Sequence, residues 1–165
     1  MTVPTFIPAA WQPIPVNLGL PQAQQRWYES WPWRDYVELV AVDAAVPSAR
    51  KRLRSILWDE WGISEVADDA ELIVAELVAN AVTATRAVQW KAKNPPVRLW
   101  TLGSGDAVTI LVWDATPGVP RVGNPGGDEE QGRGLMIVRE LADWGFYLAP
   151  EDYGGKVIWA QLPKA

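Results

Sequence analysis

Asp68-Asp69-Ala70-Glu71-Leu72-Ile73-Val74-Ala75-Glu76-Leu77-Val78-Ala79-Asn80-Ala81-Val82 is the stretch on which the fold turns. Ala70, Ile73, Val74, Leu77 and Ala81 recur at the i, i+3, i+4 spacing, which predicts an amphipathic helix with these residues as its buried stripe. Asp68 stands at its start with Glu71 three residues on, the pattern of a capping box. Glu76 and Asn80 are four residues apart, so they sit one above the other on one face, and Thr83 continues the row.

Upstream of this helix lies a second helical stripe of Val46, Ala49, Leu53, Ile56, Leu57 and Trp61, with Arg50, Lys51, Arg52 and Arg54 mainly off that face and Gly62 ending it. Before it, Val37 to Val42 is rich in β-formers and bounded by Asp35 and Asp43, which predicts a strand. Downstream, Asn94-Pro95-Pro96 is a firm break. Val97 to Leu102 and Val108 to Trp113 then form a hairpin around Gly103-Ser104-Gly105-Asp106.

A loop without periodicity, bearing glycine and proline, runs from Asp114 to Gly132, a length that in a compact domain is usually functional or disordered. Leu135, Met136, Val138, Leu141 and Ala142 mark a third helix, and Trp144 to Ala149 with Val157 to Leu162 close the chain as another hairpin. No internal repeat is present. The order predicts an α+β fold, a two-layer α/β sandwich with helices on one face of a mostly antiparallel mixed sheet.

Residues 1–35 read differently from residues 36–165. Pro4, Pro8, Pro13, Pro15, Pro21 and Pro32 oppose helix and central strand alike, so this segment is expected to be an irregular arm. Trp11, Trp27, Trp31 and Trp33 either pin the arm to the domain's own surface or form a strip for a partner. The 165 residues suit one domain, and 48% hydrophobic residues suffice for a core.

The absence of cysteine excludes disulfides and thiolate metal sites, and the absence of histidine excludes an imidazole base, an imidazole ligand and a phosphohistidine. A net charge of −5 speaks against direct binding of nucleic acid, which needs a clustered basic surface. No apolar run approaches the roughly 20 residues of a membrane span, and no basic-then-apolar leader opens the chain. A soluble cytoplasmic protein is expected.

Four segments depart from the ordinary chemistry of their elements. On the helix, Glu76 and Asn80 flank an apolar stripe, where a buried carboxylate or amide is costly without partners. Water would supply them on a solvated face; Mg²⁺ with phosphate oxygens would supply them in a site. In Val112-Trp113-Asp114-Ala115-Thr116-Pro117-Gly118, an apolar strand ends in a carboxylate and a proline-glycine turn. Asp114 either caps that turn or accepts a hydrogen bond from the exocyclic amino group of adenine.

Gly132-Arg133-Gly134-Leu135 opens a helix after the long loop, where glycines allow close approach of backbone to ligand and free N–H groups attract phosphate. Arg133 adds charge there or simply faces solvent. Gly154-Gly155-Lys156-Val157-Ile158-Trp159, taken alone, is a glycine turn feeding a strand.

In this order the four segments resemble the conserved boxes of the Bergerat-type ATPase and kinase superfamily that includes gyrase, histidine kinases and MutL. Pro47, Ala49 and Arg50 within Val46 to Arg54, Glu76-Leu77-Val78 with Asn80-Ala81-Val82, Gly132-Arg133-Gly134-Leu135, Trp144-Gly145 and Lys156 with Trp159-Ala160 carry a closer likeness. It is to the anti-sigma factor serine/threonine kinases and the ATP-binding regulators of that type in actinobacteria. The likeness covers roughly residues 36 to 162.

The resemblance implies ATP and Mg²⁺ as cofactors. It implies that Asn80 coordinates the metal, and that Glu76 is the catalytic base that orients or deprotonates an attacking hydroxyl. Asp114 would bind the adenine amino group with Gly118 beside the base, and Gly132, Arg133, Gly134 and Leu135 would meet the phosphates. Positioning and charge neutralisation do most of the work in phosphoryl transfer, so such a set suffices without histidine or cysteine.

The implied partners are a sigma factor and an anti-anti-sigma protein, with a homodimer by analogy. Two departures stand out. Thr83 and Ala84 occupy places where the family often has a basic residue and histidine. Val157 stands where a threonine commonly joins the aspartate–adenine network. A serine/threonine kinase, a nucleotide-responsive binding module without turnover, and a domain that no longer binds ATP are the readings these residues leave open.

Overall fold

The computed structural model describes residues 28–118, 120, 130–149 and 154–164. The elements run β1 (Trp33–Leu39), α1 (Ala45–Ser55), a π-helical turn (Ile56–Glu60), α2 (Ala67–Ala87), β2 (Val97–Gly103), β3 (Ala107–Asp114), α3 (Glu130–Leu141), β4 (Asp143–Leu148) and β5 (Lys156–Pro163). The five strands form one sheet in the order β1-β2-β3-β5-β4, and every pairing is antiparallel. The fold is α+β, as expected, with a sheet that is antiparallel throughout rather than mixed.

Strand alternation sorts the sheet into two faces. Val97, Leu99, Val108, Ile110, Val112, Ile158, Ala160 and Leu162 point toward the helices and join Ala49, Leu53, Leu57, Ile73, Leu77, Val78 and Leu135 in the main core. Trp100, Leu102, Leu111, Trp113, Val157 and Trp159 form a second apolar cluster on the opposite face together with Trp31, which is wholly buried. Trp11 and Trp27 lie outside the described residues.

β1 differs from the expected Val37–Val42. It starts at Trp33 and stops at Leu39, because Leu39 pairs with Val97 and the residues before Val97 are Pro95 and Pro96. Prolines have no N–H to offer a ladder, so the pairing ends there and Val40 and Val42 are left exposed. Trp33 and Arg34, read from the sequence as part of the arm, are strand residues paired with Gly103 and Leu102.

The predicted capping box at α2 does not form. The helix begins at Ala67 with Val66 at the N-cap and no side-chain cap, and Asp68 and Asp69 lie in the first turn, where carboxylates favour the positive end of the helix dipole. Glu71 reaches across to α1 instead, accepting hydrogen bonds from Arg50 (3.2 Å) and Arg54 (2.9 Å). Arg52 is ion-paired with Asp35 and ties α1 to β1. At the far end of α2, the indole N–H of Trp90 donates to the carbonyl of Thr85 at 2.8 Å, satisfying one of the carbonyls left open where a helix stops.

Between α1 and α2 the chain widens for one turn, with the Trp61 N–H bonded to the carbonyl of Ile56 five residues back. That turn keeps Ile56 and Leu57 buried and lays Trp61 against Trp33, ring centroids 6.1 Å apart. The sequence-predicted stripe is therefore realised across a change of helix type.

Candidate functional site

α2 lies across the helix-side face of the sheet, and α3 packs beside it. Glu76 and Asn80 flank the buried pair Leu77 and Val78 on α2, and both are half-buried. Among the described residues neither side chain takes a hydrogen bond or an ion pair. Thr83, next in the row, is exposed.

α3 begins at Glu130, so Gly132 and Arg133 fall in its first turn, whose N–H groups have no intrahelical acceptor. Gly134 and Leu135 lie just beyond. Arg133 is exposed, whereas the Leu135 side chain is buried in the core and its backbone N–H lies past the turn whose donors are open. Gly134 is where α3 meets α2: a Cβ there would stand 2.5 Å from Glu76 Oε2. The glycine is needed for that approach.

A second group of the candidate residues lies at one end of the sheet. Asp114 closes β3 opposite Lys156, the first residue of β5. It lies on the helix-side face because Val112 and Ile110, its period-two neighbours, do. Its Oδ1 accepts the Thr116 N–H at 2.9 Å and the Lys156 ammonium at 3.0 Å, and it is also bonded by the Thr116 hydroxyl. Lys156 Nζ bonds Thr116 Oγ1 at 2.6 Å as well. Asp114 is 2% exposed and Lys156 7% exposed, so this is a buried ion pair joined through Oδ1 and Nζ.

Every one of these bonds converges on Oδ1. Among the described residues Oδ2 takes none, which leaves one acceptor of a buried carboxylate available. Both sequence readings of Asp114 are thus compatible: Oδ1 caps the turn two residues on, and Oδ2 is spare. Gly155 has φ +80, and a Cβ there would collide with the Asp114 carbonyl. Gly118 has φ +126 and is exposed just past the same turn. The rest of the predicted loop, residues 119 and 121–129, lies outside the described residues.

Sequence reasoning missed Lys156 and Thr116. The signal for Lys156 was the strand period: Ile158, Ala160 and Leu162 face the core, so residue 156 shares their face. By the same count Val157 faces away, into the Trp100–Trp113–Trp159 cluster, where a threonine hydroxyl would not reach Asp114. The hydroxyl bonded to Asp114 comes instead from Thr116, on the turn.

The chain belongs to the histidine kinase-like ATPase domain family, which matches residues 39–161. No curated protein matches it. Among solved structures it is similar to a chain of the SiaB–SiaC complex from Pseudomonas aeruginosa, with 11% identity, a TM-score of 0.58 and coverage of 90% of this chain and 99% of that one. At that identity the likeness is one of fold.

An ATP-binding domain is what the family defines, with Mg²⁺ as its usual companion, and the residues present fit both. The spare Oδ2 is an acceptor suited to an amino group, and the first turn of α3 is suited to phosphate. Glu76 and Asn80 are oxygen donors without partners among the described residues, and Mg²⁺ is ordinarily held by one or two such groups plus phosphates and water. No group of three or more acidic or other metal-ligating side chains occurs among the described residues. Nor is any helix there long and apolar enough to cross a membrane.

Proposed function

We propose that this chain binds ATP with Mg²⁺ and regulates protein partners in the manner of anti-sigma factor serine/threonine kinases, acting in the cytoplasm. In that role it holds a sigma factor, phosphorylates a serine or threonine of an anti-anti-sigma protein, or does both. The observation that carries the nucleotide part is the buried Asp114 carboxylate, with one oxygen anchored by Lys156 and Thr116 and the other taking no bond among the described residues. The solved SiaB–SiaC structure, a complex of two proteins in which one chain shares this fold, supports the partner-binding part.

ATP, when bound, supplies the transferable phosphoryl group. The chain's own residues do the rest. Asp114 accepts the adenine amino group and Asn80 holds the metal. The open N–H groups of the first turn of α3, that of Gly132 among them, would hold phosphate. Glu76 orients the attacking hydroxyl and takes its proton, with ADP as the leaving product.

A second reading is a nucleotide-responsive binding module without turnover. It is favoured by Thr83 and Ala84, which offer neither the cation nor the imidazole that the resemblance leads one to expect there. Calorimetric titration with ATP and GTP, each with and without Mg²⁺, comes first; ATP-selective, Mg²⁺-dependent binding is expected. Glu76→Ala then separates the readings: it abolishes phosphotransfer and spares ATP binding if Glu76 is the base. Phosphotransfer that survives the substitution removes that role, and its absence from the wild-type protein with cognate partners leaves the binding module.

A further inference from the structure

We propose that Lys156 is the positioning residue that gives the Asp114 site its preference for a 6-aminopurine over a 6-oxopurine. The inference rests on the nucleotide reading and deepens it. Selecting adenine requires a group that accepts a hydrogen bond and never donates one, because a 6-amino group donates and a 6-oxo group accepts. A charged carboxylate meets that requirement; a protonated carboxyl does not. It donates to a 6-oxo group as readily as it accepts from an amino group.

Asp114 is 2% exposed, and a buried carboxylate is costly unless a counter-charge and hydrogen bonds match it. Lys156 supplies that counter-charge. Its ammonium lies 3.0 Å from Oδ1, itself 7% exposed, and it is held in place by a 2.6 Å bond to Thr116 Oγ1. No other cationic side chain is bonded to Asp114 among the described residues. The geometry also keeps Lys156 out of the recognition contact, because its bond and both Thr116 bonds fall on Oδ1.

Lys156 therefore acts through Asp114 rather than on the base. Thr116 has two tasks in this arrangement: its N–H fixes the carboxylate, and its hydroxyl bridges carboxylate and ammonium. The register makes the pairing obligatory, since Asp114 and Lys156 are directly opposed at the end of the β3–β5 ladder.

The test is titration of wild type, Lys156→Met and Lys156→Arg with ATP and inosine triphosphate, which differ in the 6-substituent of the purine and in the proton that the 6-oxo base carries on N1. Thermal melts confirm that each variant is folded. Wild type should prefer ATP by roughly tenfold or more, the worth of one charge-assisted hydrogen bond. Lys156→Met should compress that ratio to about threefold or less, and Lys156→Arg should restore most of it. If Lys156→Met does not fold, Lys156→Gln provides the same readout, since it keeps a donor for Oδ1 without the charge. A variant that weakens both nucleotides equally and leaves the ratio intact makes Lys156 merely structural and overturns the inference alone. Failure of wild type to bind either nucleotide overturns the nucleotide reading and this inference with it.

Discussion

Gly134 on α3 and Glu76 on α2 approach so closely that a single added methyl would stand 2.5 Å from the Glu76 carboxylate oxygen. The contact joins the carboxylate proposed as base to the helix proposed to face phosphate. Gly134→Ala should therefore act on function and not on folding. The obstructed atom is the far end of a flexible side chain, which can swing aside, and alanine gains about 0.5–1 kcal/mol over glycine within a helix. The expected outcome is a melting temperature unchanged or raised, with phosphotransfer or Mg²⁺-dependent ATP binding reduced at least tenfold. A fall in both would mean that the packing here is structural.

Gly155 carries the opposite expectation. Its positive φ disfavours any side chain, and the atom that a Cβ would meet is a backbone carbonyl that cannot move alone. Gly155→Ala should cost roughly 2–3 kcal/mol or prevent folding, read by denaturant titration.

Glu71 should matter modestly. It joins two arginines of α1 that are more than half exposed, so solvent screens the pairs. Glu71→Gln is expected to lower stability by about 0.5–1 kcal/mol in low salt and by less in high salt, measured by urea unfolding at two ionic strengths.

Burial of the Tyr147 hydroxyl pushes its ionisation well above the ordinary tyrosine value of 10.0. The unfolded chain loses this proton near pH 10 while the folded one keeps it, so the contribution to stability is intact below that pH and declines as pH rises beyond it. Unfolding free energy should fall above about pH 10, and Tyr147→Phe should flatten the decline. Equal slopes for the two proteins would exclude Tyr147 as its source.

The sequence announced its architecture through periodicity. The stripe of α2 and the paired strands on either side of Ser104 were legible because burial of one face leaves a period in the residues. Edges were less so. The start of β1 depended on how many partners β2 offers before Pro96, which is a property of pairing and not of β1 itself. The failed capping box has a similar cause: Glu71 found two arginines on another helix, 17 and 21 residues away in sequence, and a local pattern does not weigh such competitors.

In the site, Asp114 stood out because a carboxylate ended an apolar run. Lys156 did not, because a lysine after two glycines looks like a turn until the strand's face is counted back from Ile158.

The strand order has a consequence in time. β5 follows both β3 and β4 in the chain, yet it is laid between them, beside the strand that carries Asp114. A ribosome emitting this chain delivers α1, α2 and the carboxylate long before the ammonium that faces it. Until β5 pairs with β3, Asp114 has its turn but not its counter-charge. If Asp114 reads the base as proposed, that competence and the β3–β5 pairing arrive together, and a ligand gripping Asp114 would also be a clasp on that seam.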